Sequence, residues 1–445
     1  MPLGLYISVP FCRSKCSYCN FASDVFSKAA YENYVARLLE DISNSRQLAS
    51  ELECALDANA DSIYLGGGTP SILDTSQLLH VFAALRSQFS ITPDAEITVE
   101  CAPGTLTPAL IETLLQCRVN RVSLGVQSFV DHEAQSVGRL HKRSTVLEEI
   151  NLLREAGLAN INIDLIAGLP HQTAESWTFS LSETIATGVP HASVYMLEVD
   201  QDSRLGRELI AGGARYHAHF VPDEDATADF YTQACETLDS AGLQQYEISN
   251  FARTAAPTHD GEFHSNESRH NLKYWTRQPY IGFGVDAHSM LAVDCQKDDR
   301  RQAVRFATPD SLDAYMNHTS LTVTPVSPQA AIEESFFLGL RLNRGIDLTS
   351  LLKSFESCHP ERSEGPALCR KAGTPMYSLP PSQHVFSPEA IAFWESAVQQ
   401  SVQDGLLERQ DSMLRLTARG RLLSNEVFAR FLAEEKVGTG HVNPR

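Results

Sequence analysis

Positive charge is scarce in this chain of 445 residues: Lys and Arg number 36 against 55 Asp and Glu, a net charge of −19. Nucleic-acid backbones are bound by neutralising phosphates with Lys and Arg, so nucleic acid is excluded as the expected partner. Long apolar runs are also missing. None approaches the roughly 18 residues that a bilayer span needs, and Met1 to Pro10 shows no basic stretch followed by an apolar one and a small-residue cleavage site. No lipidation signal is legible at either end. These absences predict a cytoplasmic protein, with peripheral membrane contact left open and unsupported by the acidic composition. Cysteine, at ten residues, is too sparse to staple a chain of this length. In a reducing compartment a tight cysteine group points instead to a metal or to catalysis. Such a group exists, because Cys12, Cys16 and Cys19 crowd into one short segment while the other seven are scattered.

What is present is enough for large cores. Hydrophobic residues make up 43% of the chain, which rules out wholesale disorder. Through residue 200, short aliphatic runs alternate with helical periodicity, the pattern of βα units and a parallel sheet. Strands are predicted at Leu5–Val9, Ser62–Leu65, Glu96–Glu100, Arg121–Val126, Asn160–Ile166 and His191–Leu197. Helices are predicted at Ala30–Ile42, Ser76–Leu85, Pro108–Gln116, Thr145–Ala156 and Ala174–Thr187. Six strands make an α/β fold with a partial parallel (β/α)6 barrel, in which chemistry sits at the C-terminal strand ends.

The expected division places that barrel in residues 1–200 and an extension in 201–300, with a helix near Asp223–Ala241 and a strand near Gln245–Ser249. Residues 301–445 read as a mainly helical, winged-helix-like domain: helices Ala330–Leu342 and Pro388–Gln403, a hairpin Leu406–Leu416 and a helix Thr417–Leu432. It reads as a packing module, because Asp404, Glu408, Asp411 and Glu426 dilute Arg415, Arg419 and Arg421. Within it, 357–383 carries five prolines and little apolar periodicity, the composition of a disordered surface insertion. The polar stretch Thr254–Glu267, with His259 and His264, reads as a solvated loop.

The cysteines stand directly after the first strand, as C-x3-C-x2-C within PFCRSKCSYCNF. A structural zinc site wants four protein ligands, whereas a [4Fe-4S] cluster held by three thiolates leaves one iron open to a ligand. Zinc with a distant fourth ligand is the alternative. After the second strand comes YLGGGTPSIL, where Gly66, Gly67, Gly68 and Thr69 let the backbone approach a ligand. No Gly-Lys-Ser/Thr follows, so it is not a phosphate-binding Walker loop. Glu100, Gln127, Arg139 and Asp164 fall at or near later strand ends, where Glu100 can accept both hydroxyls of a ribose.

Together these motifs resemble the radical S-adenosylmethionine (SAM) superfamily. The resemblance implies that the open iron binds the amino and carboxylate groups of SAM, that an electron donor feeds the cluster, and that reductive cleavage yields methionine and a 5′-deoxyadenosyl radical. It also implies that the GGGTP loop holds the methionyl amino group. Further segments, NRVSLGVQSF, DLIAGLPHQT, YEISNFA, SRHNLKYW, YIGFGVDAHS and FFLGLRL, are similar to the branch that contains the oxygen-independent coproporphyrinogen III oxidase and the HemW haem-chaperone family. From that branch, Tyr6 and Tyr18 are implied beside the cluster, with Gly67, Gly68, Thr69, Glu100, Gln127, Arg139 and Asp164 around SAM.

Two features separate the relatives. The oxidase carries a fourth cysteine two residues after the third and an N-terminal extension; this chain has Phe21 there and only eleven residues before Cys12. Both point to the HemW family. His270-Asn271-Leu272-Lys273-Tyr274-Trp275 is similar to that family's H-N-x-x-Y-W haem motif, which implies His270 as an iron ligand with Tyr274 and Trp275 on the porphyrin face. The alternative for His270 is a hydrogen bond within the barrel closure. The expected function is a haem chaperone that binds haem as cargo and passes it to an acceptor protein, with a homodimer left open. The alternative is radical SAM oxidative decarboxylation of coproporphyrinogen III, which Phe21 disfavours. The chain departs from the family's E-x-N-P-G-T with Glu100-Cys101-Ala102-Pro103-Gly104-Thr105, and after the sixth strand it reads LEVDQDSRLG, with Asp200 and Asp202.

Overall fold

Strands buried on both faces organise the centre of the protein, with aliphatic residues alternating with buried glycine and polar ones. In the computed structural model the described residues are 1–254, 265–293, 301–356 and 388–432. The predicted insertion at 357–383 and the histidines His259 and His264 lie outside them. The six predicted strands are all present: β1 (Leu3–Val9), β2 (Asn59–Gly67), β3 (Ser90–Cys101), β4 (Arg121–Gln127), β5 (Ile161–Ala167) and β6 (His191–Met196). They pair in chain order, every neighbour parallel. Between them run the helices Lys28–Glu51, Thr75–Gln88, Pro108–Gln116, Arg143–Glu155 and Ala174–Thr187. Their starts follow sequence logic. Asp74 and Gln77 form a capping box, and Thr107 caps a helix whose first residue is Pro108.

The partial barrel is extended at both edges into a twelve-stranded sheet. Beyond β6 lie β8 (Asn250–Arg253) and β7 (Leu243–Gln245), both antiparallel to their neighbours. The single strand expected near Gln245–Ser249 is therefore a hairpin. Its turn is closed by Glu247, which accepts from the Ser249 backbone N–H at 2.9 Å and the Asn250 side-chain amide. On the other edge, β9 (Tyr280–Phe283) runs parallel to β1, followed by β10 (His288–Ala292), β11 (Ala303–Ala307) and β12 (Thr322–Val326).

The end of the sheet at which the parallel strands begin is closed by the helix Arg269–Trp275. Buried Glu96 on β3 holds its first turn, accepting from the backbone N–H groups of Arg269 and His270 at 3.1 Å each. The same carboxylate faces Arg121 at 4.0 Å, whose side chain is 2% exposed. Replacing Glu96 by alanine removes the cap and leaves a buried cation short of a partner. Arg121 keeps hydrogen bonds to Asn160 and the Asn266 carbonyl, so a loss of about 3 kcal/mol is expected in denaturant unfolding. A loss under about 1 kcal/mol would contradict this role for Glu96.

The chain divides into two compact units, Met1–Val293 with Ala303–Pro325, and Asp294–Gln302 with Val326–Arg445. The second contains helices Pro328–Gly339, Leu348–Glu356 and Pro388–Gln403 and a three-stranded sheet of β13 (Ile346–Asp347), β15 (Met413–Leu416) and β14 (Leu407–Gln410) in that spatial order. Phe336 stacks on Phe431 at 4.6 Å and lies 6.1 Å from Trp394, giving this unit its own core. The helix predicted over Thr417–Leu432 is two short helices, Ala418–Leu422 and Ser424–Ala429, broken at Leu423. Ser424 and Asn425 supply the side-chain competition for backbone groups that favours such a restart. Among the described residues, no helix is long and apolar enough to cross a membrane.

Candidate functional site

The loop after β1 closes on its own origin. Cys12 donates its N–H to the Asp24 carbonyl at 3.0 Å, and Asp24 donates to the Pro10 carbonyl at 3.1 Å. Loops from later strands brace it. Ser17 donates to the Val137 carbonyl at 3.1 Å, Leu205 to the Ser17 carbonyl at 2.8 Å, and the Arg13 guanidinium to the Gly104 carbonyl at 2.9 Å. The LEVDQDSRLG segment takes part, since the Asn20 side-chain amide donates to Asp200 at 3.3 Å. Cys16 is buried and Cys12 and Cys19 are half-buried; burial pushes the thiols of Cys12 and Cys19 up. Among the described residues, no three His, Cys, Asp or Glu side chains are grouped to hold a single metal ion.

The glycine loop lies directly on β1. Gly68 and Thr69 donate their N–H groups to the carbonyls of Val9 and Phe11 at 2.8 Å each. A side chain at Gly68 would meet the Phe11 carbonyl at 2.7 Å and the Val9 carbonyl at 2.8 Å, so only glycine fits. With those two amides committed, the loop's remaining carbonyl oxygens are what it offers to an ammonium group. The Thr69 hydroxyl lies 3.7 Å from the Cys12 sulfur, joining this loop to the cysteine loop.

Glu100 accepts from the Tyr64 hydroxyl at 2.7 Å and from the Gly67 N–H. Burial, against those two hydrogen bonds, pushes its carboxyl up to about 7. Gln127 is buried at the end of β4 with φ +70, beside an irregular register with β5. The Arg139 guanidinium lies over Gly125, where a Cβ would approach it to 3.0 Å, and hydrogen-bonds Tyr18. Its Nε is buried with no hydrogen-bond partner among the described residues. Asp164 accepts from Ser123 at 3.0 Å and Asn162 at 2.7 Å, and burial raises its pKa. Tyr18 packs on Val137, Ile166 and Leu169. Tyr6 stacks on Tyr64 at 6.2 Å.

His270 sits below this set, inside the barrel. It is 1% exposed, its Nδ1 hydrogen-bonds Ser62 at 3.0 Å, and its Nε2 hydrogen-bonds the Tyr274 hydroxyl at 2.8 Å. Burial, with Lys273 nearby, pushes its pKa down to about 3, so the ring is neutral. Tyr274, not His270, reaches the cavity above. That cavity, about 460 Å³, is lined by Tyr6, Ser8, Phe21, Gly67, Tyr274 and His288, among others. Phe21 is 62% exposed there. Ser8, Tyr280, Asp286 and His288 escaped the sequence reading. Asp286 and His288 follow β9 just as the recognised polar residues follow the earlier strands, so the strand-end rule finds them once β9 is known to join the sheet.

A parallel sheet, a three-cysteine loop and polar residues at the strand ends define a radical SAM protein, and residues 6–181 match the Radical SAM superfamily. The chain is 33% identical to the heme chaperone HemW of Synechocystis sp., over 79% of this chain and 81% of that protein. It is 28% identical to the heme chaperone HemW of Bacillus subtilis, over 96% of this chain and 99% of the relative. It belongs to the heme chaperone HemW family. Among solved structures, Escherichia coli coproporphyrinogen III oxidase (HemN), a radical SAM enzyme, matches with a TM-score of 0.72 at 21% identity, covering 97% of this chain and 90% of that one. That likeness shows a common fold. Superfamily membership implies a [4Fe-4S] cluster and SAM, and the residues present fit both: three thiols in one braced loop, and a buried guanidinium nitrogen left for a carboxylate.

Proposed function

We propose that this protein is a haem chaperone, which binds haem beside a SAM-coordinating cluster and hands it to acceptor proteins in the cytoplasm or at the membrane surface. The cavity carries this reading: it brings Phe21 of the cysteine loop, the glycine loop and Tyr274 of the HNLKYW helix to one concave, aromatic-lined space. Family membership supports it, and Phe21 stands where the oxidase has its fourth cysteine. An anaerobic assay with reductant, SAM and coproporphyrinogen III is expected to yield no protoporphyrinogen; measurable product would favour the decarboxylase instead.

Cys12, Cys16 and Cys19 would hold the cluster, whose open iron, when present, supplies a ligand position and an electron to SAM. Arg139 would receive the SAM carboxylate on its unpartnered Nε, the carbonyls of the glycine loop its amino group, and Glu100 its ribose hydroxyls. Gln127 and Asp164 complete the polar rim, and Tyr6 and Tyr18 exclude water beside it.

Glu100 gives a pH test. A carboxylate accepts two hydroxyl donors and a carboxylic acid does not, so SAM affinity should fall as pH drops through about 7. Stability runs the other way. The folded pKa lies above the unfolded one of about 4.5, so the cost of burying the charge is absent below pH 4.5, develops up to about 7, and is complete above it. Equilibrium dialysis of SAM on cluster-loaded protein across pH 6–8 checks the affinity, and Glu100→Gln should flatten the profile. A flat wild-type profile would remove Glu100 from the ribose.

A further inference from the structure

Outside the residues already assigned, histidines gather on the segments that follow β4, β5 and β6. His171 follows β5 in the GLPHQ turn, and His217 stands just before the short helical turn Ala218–Phe220. His171 Nε2 lies 3.1 Å from His217 Nδ1, with the ring centroids 5.0 Å apart. Both backbones are unusual. His171 has φ +69 and His217 φ +61, left-handed conformations that cost a residue with a side chain energy and are kept where the surroundings impose them.

Buried side chains do the imposing. Gln172 accepts from the Gly168 N–H at 2.5 Å and donates to the Ile166 carbonyl at 3.1 Å, which closes the turn that carries His171. Glu208 accepts from the N–H groups of Tyr216 and Ala218 at 2.8 and 3.2 Å, on either side of His217. His171 donates its N–H to the Phe220 carbonyl at 3.0 Å, and Phe220 donates to the His217 carbonyl at 2.9 Å, so the two turns are tied together. The Phe220 ring packs on the His171 ring with centroids 4.0 Å apart.

The pair has the spacing of a chelate. An ion about 2.0–2.1 Å from each of two imidazole nitrogens 3.1 Å apart subtends an angle of about 100°, close to that of a tetrahedral site. Each neutral imidazole carries one N–H and one lone pair, so both rings can aim a lone pair at the ion once the proton between them moves to the far nitrogen of its own ring. Burial and the neighbouring histidines hold the His171 pKa below its ordinary value, which keeps its lone pair available at neutral pH. Among the described residues no third His, Cys, Asp or Glu is grouped with the pair to hold a single ion, and the remaining positions fall to water.

We propose that His171 and His217 form a two-histidine site for a divalent first-row transition ion of the class that favours imidazole, such as Zn2+, separate from the cysteine loop and independent of the haem-chaperone reading. The ion joins the turn after β5 to the segment after β6. Both flank the cysteine loop, since Leu169 packs with Tyr18 and Leu205 donates its N–H to the Ser17 carbonyl at 2.8 Å.

Zinc is the probe, added to untagged, full-length, cluster-loaded protein whose cysteines are already occupied. Wild type is expected to bind one zinc per chain in calorimetric titration, and zinc X-ray absorption should show nitrogen and oxygen neighbours at about 2.0–2.2 Å without sulfur at about 2.3 Å. An ion that binds only the folded chain raises its unfolding temperature. His171→Gln and His217→Gln should each weaken binding by at least about tenfold, the lower bound for disturbing even a residue behind a metal ligand, and should remove the zinc-dependent rise in unfolding temperature. His132→Gln, at an exposed ring edge to face with His171 at 4.5 Å, should bind as wild type does. No zinc bound by wild type, sulfur neighbours around the bound zinc, wild-type affinity in His217→Gln, or an equal loss in His132→Gln would each overturn the site. Circular dichroism and iron content must match across the variants, which separates ligand loss from misfolding.

Discussion

Cys16→Ala protein, prepared without oxygen, is expected to contain almost no iron where wild type carries about four atoms per chain. Three thiolates are the minimum that leaves one iron open, so losing one strips the site of its hold on the cluster. Cys16 is also the buried member of the three, beside Ser17, which both donates to Val137 and accepts from Leu205. The barrel should survive, because the buried aliphatic side chains of β1 to β6, such as Leu5, Ile63, Val99, Leu124, Ile163 and Val194, lie outside the cysteine loop. Iron and sulfide analysis alongside circular dichroism separates the outcomes. Full iron content in Cys16→Ala would exclude the three-cysteine cluster.

Gly68→Ala is expected to have the second-largest effect. The new methyl would meet two carbonyl oxygens and an amide nitrogen of β1 and its loop, at 2.7, 2.8 and 3.0 Å, and none of them is the end of a flexible side chain. The glycine loop must lift, which breaks the hydrogen bonds to Val9 and Phe11 and moves Thr69 from Cys12. Overpacking of this kind costs about 1–3 kcal/mol, so SAM affinity should fall about tenfold or more. Gly212→Ala is the control. Nothing lies within 4 Å of its new methyl, but φ is +78 and ψ 163, a conformation nearly confined to glycine, so it should cost backbone strain of about 1–3 kcal/mol, matching the cost at Gly68, and leave SAM binding intact. Equal affinities in wild type and Gly68→Ala would show that the loop does not hold SAM.

The sequence made the central sheet legible because β1 to β6 alternate aliphatic residues on one face with buried glycine and polar residues on the other, a period of two that loops do not imitate. The start of β3 at Ser90 was hidden by Pro93 and Asp94, which interrupt the run on a part-exposed segment. β7 to β12 were harder still, being three to five residues long and carrying glycine and polar side chains. The cysteine motif was readable from spacing alone. Its bracing was not, since hydrogen bonds from Ser17 to Val137 and from Leu205 to Ser17 join backbone atoms far apart in the chain and leave no mark on residue types. His270 illustrates the same limit. Its motif is visible, but its place inside the barrel depends on Glu96 anchoring the helix from another strand.

The role of Ala102 is similarly structural. Where the family has an asparagine, the turn here is closed by the Thr105 N–H and hydroxyl, both donating to the Ala102 carbonyl at 3.1 and 2.6 Å, with Ser71 hydrogen-bonded to Thr105 at 2.7 Å. Glu149 receives the N–H groups of Gly104 and Leu106 at 3.0 and 2.9 Å. The turn therefore keeps Glu100 in place without an amide side chain at residue 102.

The central claim is that haem is carried rather than made. Anaerobic titration of cluster-loaded wild-type protein with haem, in the presence of SAM, tests it most directly. The expected result is saturation at one haem per chain, with the haem recovered chemically unchanged. Absence of saturable binding in protein with a full complement of iron and sulfide would contradict the account.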